Sequence, residues 1–125
     1  MNVRVIIAGG RDFDDYELLK EKCVEILKPY MTNTITIISG TANGADKLGE
    51  QFAREYRLHC VRMPADWERY GKRAGFLRNA EMAEYAIQDG SVSILIAFWD
   101  GHSKGTENMI ANARERRMMV NIVRY

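Results

Sequence analysis

Short β-branched apolar runs alternate along this chain with stretches whose apolar residues recur every three to four positions. Val3-Arg4-Val5-Ile6-Ile7-Ala8, ending at Gly9-Gly10, predicts a buried strand. Asp14, with Glu17 three positions on, predicts the capped start of a helix carrying Tyr16, Leu19, Cys23, Ile26, Leu27 and Tyr30 on one face. Pro29 should end it. Ile35-Thr36-Ile37-Ile38 predicts a second strand, stopped by Ser39-Gly40. Ala45, Leu48, Gly49, Phe52, Ala53 and Tyr56 form the clearest helical stripe, with small residues that allow close approach to a sheet. Cys60-Val61-Arg62-Met63 predicts a third strand and Pro64 its end. After a long polar connection, Ala65 to Gly75, a helix is marked by Phe76, Leu77, Ala80, Ala83 and Ile87. Ser93 to Phe98 predicts the most hydrophobic strand, Thr106 to Arg117 a helix burying Met109, Ile110 and Ala113, and Val120 to Val123 the last strand.

Strict alternation of strand and helix points to a parallel sheet covered on both faces. Right-handed crossovers leave few strand orders. The expected fold is α/β: a three-layer, Rossmann-like, doubly wound sheet in the order 3-2-1-4-5. Ligands of such sheets sit beyond the carboxyl ends of the strands, where the winding reverses, here between strands one and four.

All the loops on that edge are rich in glycine and polar groups. After strand one come Gly9, Gly10 and Arg11, two glycines for close backbone approach and a fork for phosphate or carboxylate. After strand two, Ser39, Gly40, Thr41, Ala42, Gly44 and Asp46 lead into a helix N-terminus, a place where free N–H groups favour an anion. Asp46 in that first turn also suits the helix dipole. The loop is neither a Walker A motif nor GxGxxG. After strand three, Trp67 and Tyr70 stand beside Arg69, Lys72, Arg73, Arg78 and Asn79, so that Trp67 or Tyr70 stacks on a base while Lys72, Arg73 or Arg78 meets phosphate. After strand four, Asp100, Ser103, Lys104, Gly105 and Thr106 open the last helix. Each loop also has a plain structural reading, as a tight turn, a capped helix or a solvated charge run.

Length and composition narrow the classes. A chain of 125 residues is one domain by length, 1–125, and needs no disulfide staple. Eighteen Lys and Arg against seventeen Asp and Glu give a net charge of +1, little basis for nucleic-acid binding. Cys23 and Cys60 form no CxxC pair, which fits a reducing, cytoplasmic setting without a disulfide framework. The apolar run Val5 to Ala8 is too short for a signal segment, and no stretch approaches the roughly 20 apolar residues that span a bilayer. His59 and His102 are far apart, so no transition-metal site is expected. Asp12, Asp14 and Asp15 read as a capping cluster, and the seven methionines as core filler.

With the four loops placed, GGRDF, SGTANGAD, PADWERYGKRAGFLRN and WDGHSKGT resemble the signature segments of the SLOG superfamily, and of its small YspA-like branch in particular. The likeness runs from Val3 to about Val123. It implies a Rossmann-like nucleotide-binding domain related to the LOG phosphoribohydrolases and to the Rossmann-like part of DprA. It implies phosphate cradled by Gly40, Thr41, Gly44, Gly105 and Thr106, with Arg78 close by. The ligand implied is a nucleoside phosphate or an ADP-ribose or NAD-derived molecule, with no cofactor required. LOG enzymes carry PGGxGTxxE. Aligning Gly105-Thr106 on that GT puts Met109 where the family has its glutamate, so LOG-type activity is not expected.

The leading expectation is therefore binding or sensing of a nucleotide-type ligand. The alternatives are a nucleotide hydrolase using Asp46, Asp100 or Glu81, and a binder of single-stranded nucleic acid, against which the near-neutral charge counts. A homo-oligomer is compatible with either class, and no membrane partner is expected.

Overall fold

A computed structural model describes all residues, Met1–Tyr125. Five strands, β1 (Asn2–Gly9), β2 (Thr34–Ser39), β3 (His59–Arg62), β4 (Val92–Trp99) and β5 (Met119–Arg124), form one sheet. Every pairing is parallel and the order is β3-β2-β1-β4-β5. The helices are α1 (Tyr16–Leu27), α2 (Ala45–Glu55), α3 (Trp67–Tyr70), α4 (Ala74–Ala86) and α5 (Lys104–Glu115).

The period-2 alternation of β1 builds both layers. Val3, Val5 and Ile7 pack with Leu19, Cys23 and Leu27 of α1 and with Ala45, Phe52 and Ala53 of α2. Ile6 and Ala8 face the other way, onto Met82, Ala83 and Ala86 of α4 and Met109, Ile110 and Ala113 of α5. Gly49 lets α2 lie close to the sheet: a Cβ there would stand 2.9 Å from the Cβ of Ile7. No helix is long and apolar enough to cross a membrane.

Several expectations need correction. Asp15, not Asp14, caps α1, accepting the Leu18 N–H at 3.1 Å. Pro29 does close α1, in a 3-10 turn over Lys28–Tyr30. The connection after β3 is not an open loop. Asp66 caps the single helical turn of α3 by accepting the Arg69 N–H at 3.1 Å, and a 3-10 turn over Gly71–Arg73 leads into α4. Phe76, Leu77 and Ile87 are exposed, because α4 buries Ala74, Asn79, Met82, Ala83 and Ala86 instead. Of the methionines, Met82, Met109 and Met118 are core, whereas Met1, Met31 and Met119 are exposed.

Candidate functional site

Beyond the carboxyl ends of β1 and β4 lies a cavity of about 500 Å³, within the roughly 300–1,000 Å³ typical of small-molecule sites. All four loops reach it. Thirteen of the residues singled out for the ligand edge line it: Gly9, Gly10, Arg11, Ala42, Asp46, Trp67, Lys72, Arg78, Asn79, Asp100, Ser103, Gly105 and Thr106. Ser39, Gly40, Thr41, Gly44 and Lys104 do not.

The glycines after β1 serve the fold before any ligand. A Cβ on Gly9 would strike the Phe98 carbonyl, and one on Gly10 would occupy the place of the Tyr125 hydroxyl. The Gly10 carbonyl accepts N–H bonds from Phe13 and Ala45, each at 3.2 Å, which ties this loop to the start of α2.

The loop after β2 is turned inward on itself. Ser39 is buried, donating its hydroxyl to Glu50 at 2.6 Å and accepting the Thr41 N–H at 3.0 Å. Glu50 also meets Arg62 at 3.3 Å. Thr41 sits at φ 66°, a region that β-branched residues avoid, and the Ser39 bond helps to hold it there. Gly40 is a spacer: a Cβ on it would stand 2.8 Å from both Arg78 Nη1 and Asp46 Oδ2. Asp46 is 5% exposed and accepts the Ala42 N–H through Oδ2 at 3.1 Å. Its Oδ1 has no protein partner. Burial pushes its pKa up to about 6, against the pull of the Ala42 N–H and the nearby Arg78.

Arg78 links three loops. Its Nη1 donates to the Gly40 carbonyl, and its Nε to Asn79 Oδ1 at 3.1 Å. Asn79 in turn donates to the Gly105 carbonyl at 3.1 Å and to Asn108 at 3.0 Å. Arg78 is thereby held beside the start of α5.

That start is open. Asp100 Oδ1 accepts the N–H groups of His102 and Ser103, both at 2.8 Å, which keeps its pKa low. Ser103 caps the helix through Thr106 N–H. The N–H groups of Lys104 and Gly105, in the first turn, have no intrahelical acceptor. A Cβ on Gly105 would meet nothing within 4 Å. The Lys104 side chain turns outward toward Glu107, at 3.9 Å.

Part of the lining is aromatic. Trp67 is half exposed, and Gly75 makes room for its indole, whose edge would stand 3.3 Å from a Cβ there. The Arg11 guanidinium is 6.0 Å from the ring centre. Phe76 lines the same side, whereas Tyr70 lines a smaller adjacent hollow instead. Ala8, Met82 and Met109 floor the cavity. The sequence reading assigned Phe76 and Met109 to core stripes and Asp12 to capping, yet all three line the cavity. Period alone cannot separate a core face from a cavity floor, and Met109 belongs to both. Arg11, Lys72 and Arg78 are balanced by Asp12, Asp46 and Asp100 in the lining. No cluster of three or more His, Cys, Asp or Glu side chains is placed to hold a metal ion.

The chain belongs to the YspA, cpYpsA-related SLOG family, whose family model (YAcAr) matches residues 3–70. That span covers β1 to α3 and the first two ligand-edge loops. The chain is 30% identical over 119 residues to the Gene 61 protein of Mycobacterium phage D29, an alignment covering 90% of this chain and 89% of the phage protein. No solved structure matches it.

Proposed function

We propose that the cavity binds a nucleotide or nucleotide-derived ligand, either a nucleoside phosphate or an ADP-ribose or NAD-derived molecule. One observation carries the reading. The cavity is lined by an exposed indole, by a helix start with free N–H groups, and by Arg78 held beside that start. An indole face takes a base by stacking, and a helix N-terminus with a guanidinium takes phosphate. Family membership is consistent with this use of the site.

The first test is a thermal-shift series against ADP-ribose, NAD and the common nucleotides. A ligand at 100 times its Kd adds about 2.7 kcal/mol of stability. No shift with any of them counts against the proposal. Arg78→Ala should then weaken binding about ten- to a hundredfold, the worth of a charge-assisted hydrogen bond. Arg116→Ala should leave affinity unchanged, because Arg116 pairs with Glu84 at 2.8 Å at the other end of α5. Equal losses in calorimetric titration would place the phosphate elsewhere.

Release of free base from nucleoside monophosphates is expected to be negligible. Met109 lines the cavity, it is the residue that the resemblance aligns with the glutamate of LOG enzymes, and a thioether exchanges no proton. Glu107 is exposed and lies two positions, about 200°, around the helix. Chromatography of incubated nucleotides checks this. Rapid release abolished by Glu107→Gln would overturn it.

A further inference from the structure

Arg124, the last residue of β5, and Tyr125, which follows it, take no part in lining the cavity, yet both grip its loops. The Tyr125 N–H bonds the Trp99 carbonyl at 3.3 Å. The Tyr125 ring packs edge-on against Phe13 at 4.8 Å, and Phe13 stacks on Phe98 at 4.9 Å. Its hydroxyl, fixed in this way, fills the space that Gly10 leaves and donates to Asp12 Oδ1 at 2.6 Å. Arg124 lies over the Trp99 ring at 5.5 Å and reaches the Asp100 carbonyl at 3.4 Å. The strand end therefore joins the β1–α1 loop to the β4–α5 loop across the switch point.

The consequence for Asp12 is specific. An exposed aspartate would ordinarily sample several rotamers. Here one oxygen is held by the tyrosine, and Oδ2 is left without a protein partner on a residue that lines the cavity. An oriented carboxylate oxygen accepts hydrogen bonds and gives none. It therefore suits a ligand group that is rich in donors and carries no negative charge. Phosphate is disfavoured at this spot by like charge, and a base stacked on Trp67 is held through its ring face. The donor-rich part between them is a sugar bearing adjacent hydroxyls.

We infer that Asp12, oriented by the Tyr125 hydroxyl, is the residue that recognises the vicinal hydroxyls of the ligand's ribose, so that the cavity selects ribo- over dideoxyribonucleotides. The inference rests on the proposed nucleotide site and adds a specificity to it. Asp12 contacts the ligand, and Tyr125 is a positioning residue.

The test is calorimetric titration of the four common ribonucleoside 5′-monophosphates and their 2′,3′-dideoxy counterparts. The wild-type protein should prefer the ribose form by about ten- to a hundredfold, the worth of a hydrogen bond to a charged acceptor. Asp12→Asn retains an oxygen for the Tyr125 hydroxyl and should bring that ratio close to one. Tyr125→Phe retains the ring against Phe13 and should reduce the ratio part of the way. Tyr125→Phe, which leaves the Asp12 charge in place, should bind the dideoxy form as the wild type does, which a general loosening of the site would not produce. Equal wild-type affinity for the two forms would overturn this inference and leave the nucleotide site standing. A ratio unchanged in Asp12→Asn would do the same. No binding of any of the eight compounds would overturn this inference, and, with no thermal shift from ADP-ribose or NAD, the nucleotide site as well.

Discussion

Replacing Gly44 with alanine should lower the midpoint of thermal unfolding by about 10 °C or more, as read by circular dichroism. Gly44 precedes α2 at φ 82° and ψ −130°, a conformation essentially reserved for glycine. An added Cβ would strike the Gly10 carbonyl and stand 2.7 Å from the Arg11 carbonyl carbon. These are backbone atoms of a neighbouring loop and cannot rotate away. Backbone strain and overlap together cost about 3 kcal/mol or more, against a total stability of roughly 5–15 kcal/mol. The damage should also reach the cavity, because the same Gly10 carbonyl accepts the Ala45 N–H that begins α2. Gly105→Ala is the control. Its Cβ would meet nothing within 4 Å, and alanine suits a helix better than glycine. Similar losses for the two variants would show that the Gly44 contact is not what holds these loops together.

The sheet was readable from the sequence because its signals are local and redundant. Each strand is a short β-branched run, each crossover needs a helix, and the hand of the crossover restricts the order. The division of the core, Val3, Val5 and Ile7 on one face against Ile6 and Ala8 on the other, came only with the structure, because a run apolar on both faces shows no alternation to read. The ligand edge, like the sheet, was readable from local signals: glycine-rich turns stand where strands end. Which atoms of those loops face the cavity was not readable. Gly40 and Thr41 look like a phosphate cradle in the sequence, but the first is a spacer for Arg78 and Asp46, and the second is bonded back to Ser39. The second glycine of the Gly9-Gly10 pair is matched by Tyr125, 115 positions later, and no local rule connects the two. Phe76 misled because a helical stripe gives a period and no phase. The small residues Ala74, Ala83 and Ala86 let α4 lie close to the sheet and turned the large ring outward to the cavity.

Asp46→Asn should stabilise the protein at pH 8, and the gain should vanish toward pH 4. Asp46 is nearly fully buried, and only one of its oxygens has a protein partner. Burial raises its pKa from 3.8 to about 6. A carboxyl whose folded pKa lies above its unfolded value binds its proton more readily in the folded state. Its contribution to stability is therefore complete below about pH 3.8 and is lost as the pH rises through about 6. That interval corresponds to about 3 kcal/mol. Asparagine does not titrate, and its side-chain oxygen can still accept the Ala42 N–H. It also deprives Arg78 of its nearest negative charge, which offsets part of the gain. The expected net effect is about 1–2 kcal/mol in favour of the variant above pH 7. Urea unfolding at pH 4, 6 and 8 measures it. A variant less stable than the wild type by the same amount at all three values would show that the Arg78 pairing outweighs the burial of charge. A charge held at such a cost, on a residue that lines the cavity, is better explained by what enters the cavity than by the fold around it.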